Sequence, residues 1–291
     1  MNRVGVLIIG LVFNLQASSQ SFFGTAYMGG SNYQGEIQEI SFAFRGMRFA
    51  AGIGGQFRLH DHLWISTELM LAHLSGNDAD IHINSNNIAR NLSFETDIQE
   101  LSILARLNLL RGSKQPFVPY VTGGGAVFRV DPYAFDAAGQ KHFLYPLSTE
   151  GQGLPAYPDR KVPSKVNLSL PMGAGIEFRL APRLRVDAEV MYRKSFTDYI
   201  DDVSTTYPEE ALLLRTRGPK AVELSYRGDE RPGGSAVFPS GAQRGNPNRM
   251  DWYHSFVVRV KWAPFEPGQL KDRKKRTSST DCWKGGGAKM H

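Results

Sequence analysis

The stretch Gly173-Ala-Gly-Ile-Glu-Phe-Arg-Leu-Ala-Pro-Arg-Leu-Arg-Val-Asp-Ala-Glu-Val-Met-Tyr-Arg193 decides the fold of this chain. Read at period two with Met172 included, Met172, Ala174, Ile176, Phe178 and Leu180 share one face, and Gly173, Gly175, Glu177 and Arg179 share the other. A tight turn at Ala181-Pro182-Arg183 follows. Leu184, Val186, Ala188, Val190 and Tyr192 then alternate with Arg185, Asp187, Glu189, Met191 and Arg193. Alternation over about ten residues per strand, joined by a very short turn, marks a transmembrane barrel hairpin. The charged face makes the distinction. A soluble sandwich turns its apolar face inward and seldom fills the other with facing Arg, Asp and Glu. A narrow barrel turns the apolar face to lipid and pairs its charges inside.

The hairpin has an echo upstream. Gly52 to Met70 aligns with Gly173 to Met191 without a gap, sharing Gly-x-Gly-x-x-Phe-Arg-Leu, three turn residues and Leu-x-(Ile or Val)-x-x-Glu-x-Met. A repeated hairpin is what an up-and-down barrel is built from. Neither Gly-x-Gly is a dinucleotide fingerprint, because each lies inside a strand, has Phe where a third Gly would fall and precedes no helix.

The rest of the chain fits this frame. No apolar run is long enough for a membrane helix. The single cysteine, Cys282, excludes an internal disulfide framework and a multi-cysteine metal site. Met1-Asn-Arg, an apolar core from Val4 to Leu15 and a small-residue exit read as a secretory signal peptide over residues 1–19. Strands are predicted near residues 22–30, 47–59, 63–74, 92–110, 117–130 and 252–263, which with the central hairpin makes eight. Gly123-Gly-Gly125 predicts a bend or a bulge. Short turns follow strands two, four and six, while long connections follow strands one, three, five and seven. That asymmetry predicts an all-β, eight-stranded up-and-down transmembrane barrel over residues 20–263, with long external loops and both termini in the periplasm. Ten strands remain open if residues 211–214 and 221–226 form a hairpin, although Pro208-Glu-Glu reads more like a helix start.

Residues 264–291 break the alternation and form a basic tail. Lys271, Arg273, Lys274, Lys275, Arg276 and Cys282 are its candidate partner-binding residues, the cations for an acidic partner or an anionic lipid surface and the odd cysteine for pairing with another protein. No catalytic, cofactor or metal residues are expected. His60 and His62 flank Asp61 on an exposed turn, where alternate residues rarely converge on a metal. Asp198, Asp201, Asp202, Glu209 and Glu210 form an acidic patch able to attract calcium, but without EF-hand spacing it reads as a hydrogen-bonded loop scaffold. Asp136, His142 and Ser148 share a loop, with nothing in the sequence to fix a catalytic geometry. The inner-face charges (Arg58, Glu68, Glu100, Arg106, Glu177, Arg179, Arg185, Asp187, Glu189, Arg193 and Arg259) balance roughly in sign. In so narrow a barrel they read as a packed plug, not a pore lining.

The long loops carry recognisable words: Arg90-Asn-Leu-Ser-Phe94, Pro146-Leu-Ser-Thr-Glu-Gly-Gln-Gly153, Thr197-Asp-Tyr-Ile-Asp-Asp-Val-Ser-Thr-Thr-Tyr207, and Arg244-Gly-Asn-Pro247 followed by Asp251-Trp-Tyr253. Over roughly residues 22–262 the chain resembles the PorG family, the outer-membrane barrel components of the type IX secretion and gliding machinery of Bacteroidota. The resemblance implies a non-enzymatic barrel that anchors a periplasmic ring of PorK-like lipoprotein and PorN-like protein to the outer membrane. Its partners would then be that ring and outer-membrane lipid, with no nucleic acid, small-molecule substrate or cofactor. The rival readings are a small porin, which needs an open lumen, and an outer-membrane hydrolase, which needs a converging catalytic group.

Overall fold

A computed structural model describes residues 22–37, 46–80, 89–110 and 115–264. The expected signal peptide over residues 1–19 and the expected basic tail from residue 265 onward, including Lys271, Arg273, Lys274, Lys275, Arg276 and Cys282, lie outside the described residues. Among the described residues ten strands appear: β1 Phe22–Gln34, β2 Arg48–Arg58, β3 Leu63–Asn77, β4 Ser93–Asn108, β5 Phe117–Arg129, β6 Tyr133–Phe135, β7 Lys141–Phe143, β8 Val166–Ala181, β9 Leu184–Ser195 and β10 Trp252–Trp262. Eight of them pair antiparallel in the order β1, β2, β3, β4, β5, β8, β9, β10, and β10 returns to β1. The sheet is closed, so each of these eight strands is paired on both sides.

Three differences from the sequence reading have physical reasons. The extra hairpin is β6–β7, a short projection from the connection after β5 that touches β4 at a single pair, Glu95 with Tyr133. The segments considered for a ninth and tenth strand are instead helices, α1 Glu210–Arg217 and α2 Pro219–Ser225, and the proline at the start of α2 suits that position. Gly123-Gly-Gly125 does not bulge. Gly123 pairs with Met172 and Ala126 with Ser169 without a change of register, the pairing lapsing only at Gly124 and Gly125, and the register shift between β8 and β9 lies between Arg179 and Ala181, at the turn. Gly124 instead presses against the neighbouring strand, where an added Cβ would meet the Ile103 carbonyl oxygen at 2.0 Å.

Alternation sorts the side chains as expected. Met28, Ile53, Leu69, Leu71, Ile103 and Leu168 point outward, and Met28 is 62% exposed. Glu68, Glu100, Arg106, Glu177, Asp187 and Arg259 point inward, and Glu68 is 3% exposed. Water would penalise the first set and lipid the second, so this surface is stable only in a bilayer. Exposed aromatics mark the turn end, where Phe22 pairs with Phe57, Phe117 pairs with Phe178, and Trp262 closes β10. Phe49, Phe256 and Phe196 are exposed toward the other end. Two such girdles are the interfacial belts of an outer-membrane barrel.

Several strands run past the expected boundaries at the loop end. β1 continues to Gln34 and β3 to Asn77, which lifts Tyr33 and Leu74 into a core shared with the loops.

Candidate functional site

Two polar constructions fill this molecule, one inside the barrel and one over the loop end. Inside, Arg259 forks Glu68 at 2.5 and 3.0 Å and reaches Glu189 at 2.8 Å. Arg106 donates to Glu177 at 2.7 Å and to Asp187 at 2.8 Å. Arg193 Nε lies 2.9 Å from Glu100 Oε2, the oxygen that also accepts a hydrogen bond from the Tyr253 hydroxyl at 2.6 Å. Arg185 donates to Glu177 at 3.0 Å, and Lys261 bridges Glu177 and Asp187. Lys261 stands on the predicted inner face, but sign counting passed over it. Arg179 is partly exposed near the turn end, where it donates to Glu177 at 3.2 Å.

Two tyrosines account for one glycine in each copy of the Gly-x-Gly, the first in one copy and the second in the other. Tyr27 lies over Gly52 and Tyr120 over Gly175, each directly across from its partner on the adjacent strand. A Cβ on Gly175 would stand 2.5 Å from the Tyr120 ring and hydroxyl. Guanidiniums stack on both rings, Arg106 at 3.6 Å from Tyr120 and Arg259 at 4.7 Å from Tyr27. The glycine makes room for the ring, and the ring carries the cation.

The second construction is a cap built from the four long connections. Arg90 forks Asp78 at 2.7 and 2.9 Å and donates to the Glu36 carbonyl at 3.0 Å and to the Arg244 carbonyl. One guanidinium thus ties the first, second and fourth connections. Glu150 does the same for the third and fourth. Its carboxylate accepts from the Ser204 amide at 2.8 Å, the Thr205 amide at 2.9 Å, the Thr205 hydroxyl at 2.7 Å and Arg244 at 3.0 Å. Arg244 also donates to the Asp202 and Ser225 carbonyls. Left-handed backbone at Ser148, Gly151 and Gly153 coils residues 148–153 so that Glu150, fully buried, faces inward. Burial pushes the Asp202 carboxyl up to about 7, against the pull of Arg244. Beneath the cap, Tyr33 packs edge-on against Phe94 at 4.8 Å, and Ile200, Val203 and Leu224 join the same core.

A third feature lies within the cap. Glu36, Asp201 and Asp251 are all buried and each bring a carboxylate oxygen to within 4.8 Å of the others. The Tyr33 hydroxyl stands 2.5 Å from Asp201 and 2.9 Å from Asp251. Burial pushes Glu36 up to about 9 and Asp201 up to about 6, and it pushes Asp251 well above the usual carboxylate range. Asp198 stands beside them, pushed by burial up to about 8.

The sequence-level candidates fare unequally. Asp198, Asp201 and Asp202 are buried in the cap, whereas Glu209 and Glu210 are exposed at the start of α1. Glu36, from the first connection, completes the cluster and was missed; it sits more than 160 residues upstream of its partners, with no local motif. His62 is engaged with the Asn108 carbonyl at 2.8 Å. Asp136 and His142 do meet, at 3.0 Å, but Asp136 also binds Lys220 of α2 at 2.7 Å. Ser148 is buried and its hydroxyl accepts from Arg217 at 3.1 Å, so these three residues form no relay.

A closed eight-stranded barrel with lipid-facing apolar residues, paired interior charges and a folded cap is an integral outer-membrane protein. Its interior carries the paired charges described above. Within that class the chain belongs to the family described as "Domain of unknown function (DUF6089)", which matches residues 2–216. Among solved structures it is similar to Neisserial surface protein A, at 13% identity and a TM-score of 0.41, covering 84% of this chain and 98% of that one. It is also similar to a major outer membrane protein from Thermus thermophilus (10% identity, TM-score 0.40, 84% and 99% covered). Ail, the attachment invasion locus protein of Yersinia pestis, is a third (10%, 0.37, 84% and 97%). No curated protein matches the chain.

Proposed function

We propose that this barrel is a structural outer-membrane subunit of a type IX protein secretion apparatus, tying a periplasmic ring of PorK-like lipoprotein and PorN-like protein to the membrane. One observation carries the reading. The loop words on which the chain resembles the PorG family co-fold into a single cap, through Arg90, Glu150, Asp202, Arg244 and Asp251. Segments far apart in sequence that share buried charges behave as one unit, which is the behaviour of an assembled surface rather than of scattered variable loops. The interior supports the same reading. A solute channel needs an open lumen, and here Arg259, Arg106, Lys261 and Arg193 occupy it together with their carboxylates. In this reading the turn end and the basic tail face the periplasm, and the cap faces outward.

The test is lysine crosslinking with mass spectrometry on intact outer membranes, following Lys271, Lys274, Lys275 and Lys284. Links to a periplasmic ring lipoprotein support the scaffold role. Links confined to the barrel, in cells whose secretion machinery is assembled, remove the tail from the mechanism and count against the anchoring role.

A further inference from the structure

We infer that the cap binds one calcium ion through the carboxylates of Glu36, Asp198, Asp201 and Asp251. Three of these bring oxygens to within 4.8 Å of one another. Opposite ligands of a calcium ion bonded at 2.3–2.6 Å stand about 5 Å apart, so the three oxygens already span one coordination sphere. The donor set contains only oxygen, which suits a hard cation and not zinc or copper.

Asp198 supplies the independent observation. It is 5% exposed, and neither of its carboxylate oxygens closes a hydrogen bond, although the Ser204 side chain lies near enough to ease its ionisation. Its charge bears on Glu36 and on Asp251, and that of Asp201 bears on it, so it lies within electrostatic reach of the cluster, though outside the group of three whose oxygens close to 4.8 Å. A buried carboxylate with both oxygens unused is unfavourable unless something positive engages it. Arg249 faces Glu36 and Asp198 from an exposed segment. Arg90 and Arg244, which face Asp201, spend their donors on Asp78 and Glu150.

Tyr33 sharpens the point. Its hydroxyl has one proton to donate, yet it lies within hydrogen-bond distance of oxygens from both Asp201 and Asp251. The remaining lone pairs of two adjacent anions are then held together either by a further proton or by a metal ion. Both carboxylates are also fixed by backbone amides, Asp201 by Val203 at 2.9 Å and Asp251 by Ile200 at 2.8 Å. The ligands are therefore oriented before any ion arrives. Because they come from the first connection, the fourth connection and the root of β10, the ion would clamp the cap to the barrel rim.

The experiment uses the full chain folded in detergent micelles, stripped with chelator and titrated with calcium by calorimetry, with thermal unfolding measured in parallel. One ion per chain is expected, with a raised unfolding temperature that chelator reverses. Asp198→Asn, a near-isosteric change that removes one negative charge, should weaken binding by about tenfold or more while the barrel still folds, because affinity follows ligand charge. Asp159→Asn, an exposed loop acid, should leave binding unchanged. On the wild-type chain, terbium luminescence sensitised by nearby tyrosine and displaced by calcium gives a second readout that needs no variant. Absence of calcium binding at millimolar concentration overturns the proposal and assigns the cluster to protons alone. Unaltered binding by Asp198→Asn overturns it too, by moving the ion elsewhere.

Discussion

Replacing Arg259 by methionine tests whether the barrel interior is a dry plug. Arg259 donates two bonds to Glu68 and one to Glu189, and all three side chains are 3% exposed. Glu189 keeps the Tyr120 hydroxyl at 2.9 Å after the change. Glu68, by contrast, is left as a buried carboxylate without the guanidinium that forked it. Removing one member of a buried pair costs about 3–5 kcal/mol, mostly because the surviving charge is stranded. The double change Arg259→Met with Glu68→Met removes the stranded charge as well, and should recover most of that loss, because apolar replacement of a whole buried pair is often neutral. The assay is urea unfolding in lipid vesicles, followed by tryptophan fluorescence, with the four members of the cycle compared. A coupling of at least about 2 kcal/mol is expected. If Arg259→Met alone costs less than about 1 kcal/mol, as for solvent-exposed pairs, the interior is hydrated and the plug reading fails. The porin reading would then regain weight.

Other consequences are testable alongside it. Gly175→Ala places a methyl 2.5 Å from Tyr120 and 2.7 Å from the Ala188 carbonyl and should destabilise the barrel by about 1–3 kcal/mol, whereas Gly125→Ala, with nothing within 4 Å, should be far milder; equal effects in urea unfolding would refute the tyrosine-over-glycine account. Arg244→Ala should strand Glu150, so that hydrogen exchange accelerates across residues 197–250 while the barrel strands stay protected; uniform acceleration would mean that the cap is not a separate cooperative unit. Asp136 is held well below the usual carboxylate range by hydrogen bonds from Lys220 and the Gln140 amide. Its stabilising effect is therefore present above its unfolded pKa of about 3.9 and lost as pH falls through the lower folded value, so protection factors over residues 133–143, corrected for intrinsic exchange at each pH, should stay flat from neutral pH to about 5 and fall only in stronger acid. A loss of protection near neutral pH would exclude Asp136 as the cause.

The barrel was legible because its determinants are local. Each strand declares its two faces within about ten residues, and the turn at Ala181-Pro182-Arg183 is read from adjacent positions. The inner charges were legible as a set but not as pairs. Arg106 is 71 and 81 residues from Glu177 and Asp187, and Arg259 is 191 from Glu68, so partnership depends on the tilt and stagger that closure imposes. The glycines illustrate the same gap. Gly52 and Gly175 were visible as the first glycine of one Gly-x-Gly copy and the second of the other, yet their purpose depends on Tyr27 and Tyr120, which lie on neighbouring strands. The cap is wholly non-local. Arg90 meets a carbonyl 154 residues away, and Glu150 gathers amides 54 and 55 residues downstream. Acidic residues in a loop look solvated in sequence, because burial there is produced by other loops rather than by a periodic pattern. The readable trace was a mixed one: Asp198, Asp201 and Asp202 are interleaved with Tyr199, Ile200 and Val203, and a solvated acidic run has no use for those apolar partners. Ile200 and Val203 turned inward carry the aspartates with them, and the carboxylates are then forced to find cations, hydroxyls or amides. An acidic loop word that alternates with buried apolar residues is therefore better read as a charge-organised cap than as a flexible surface.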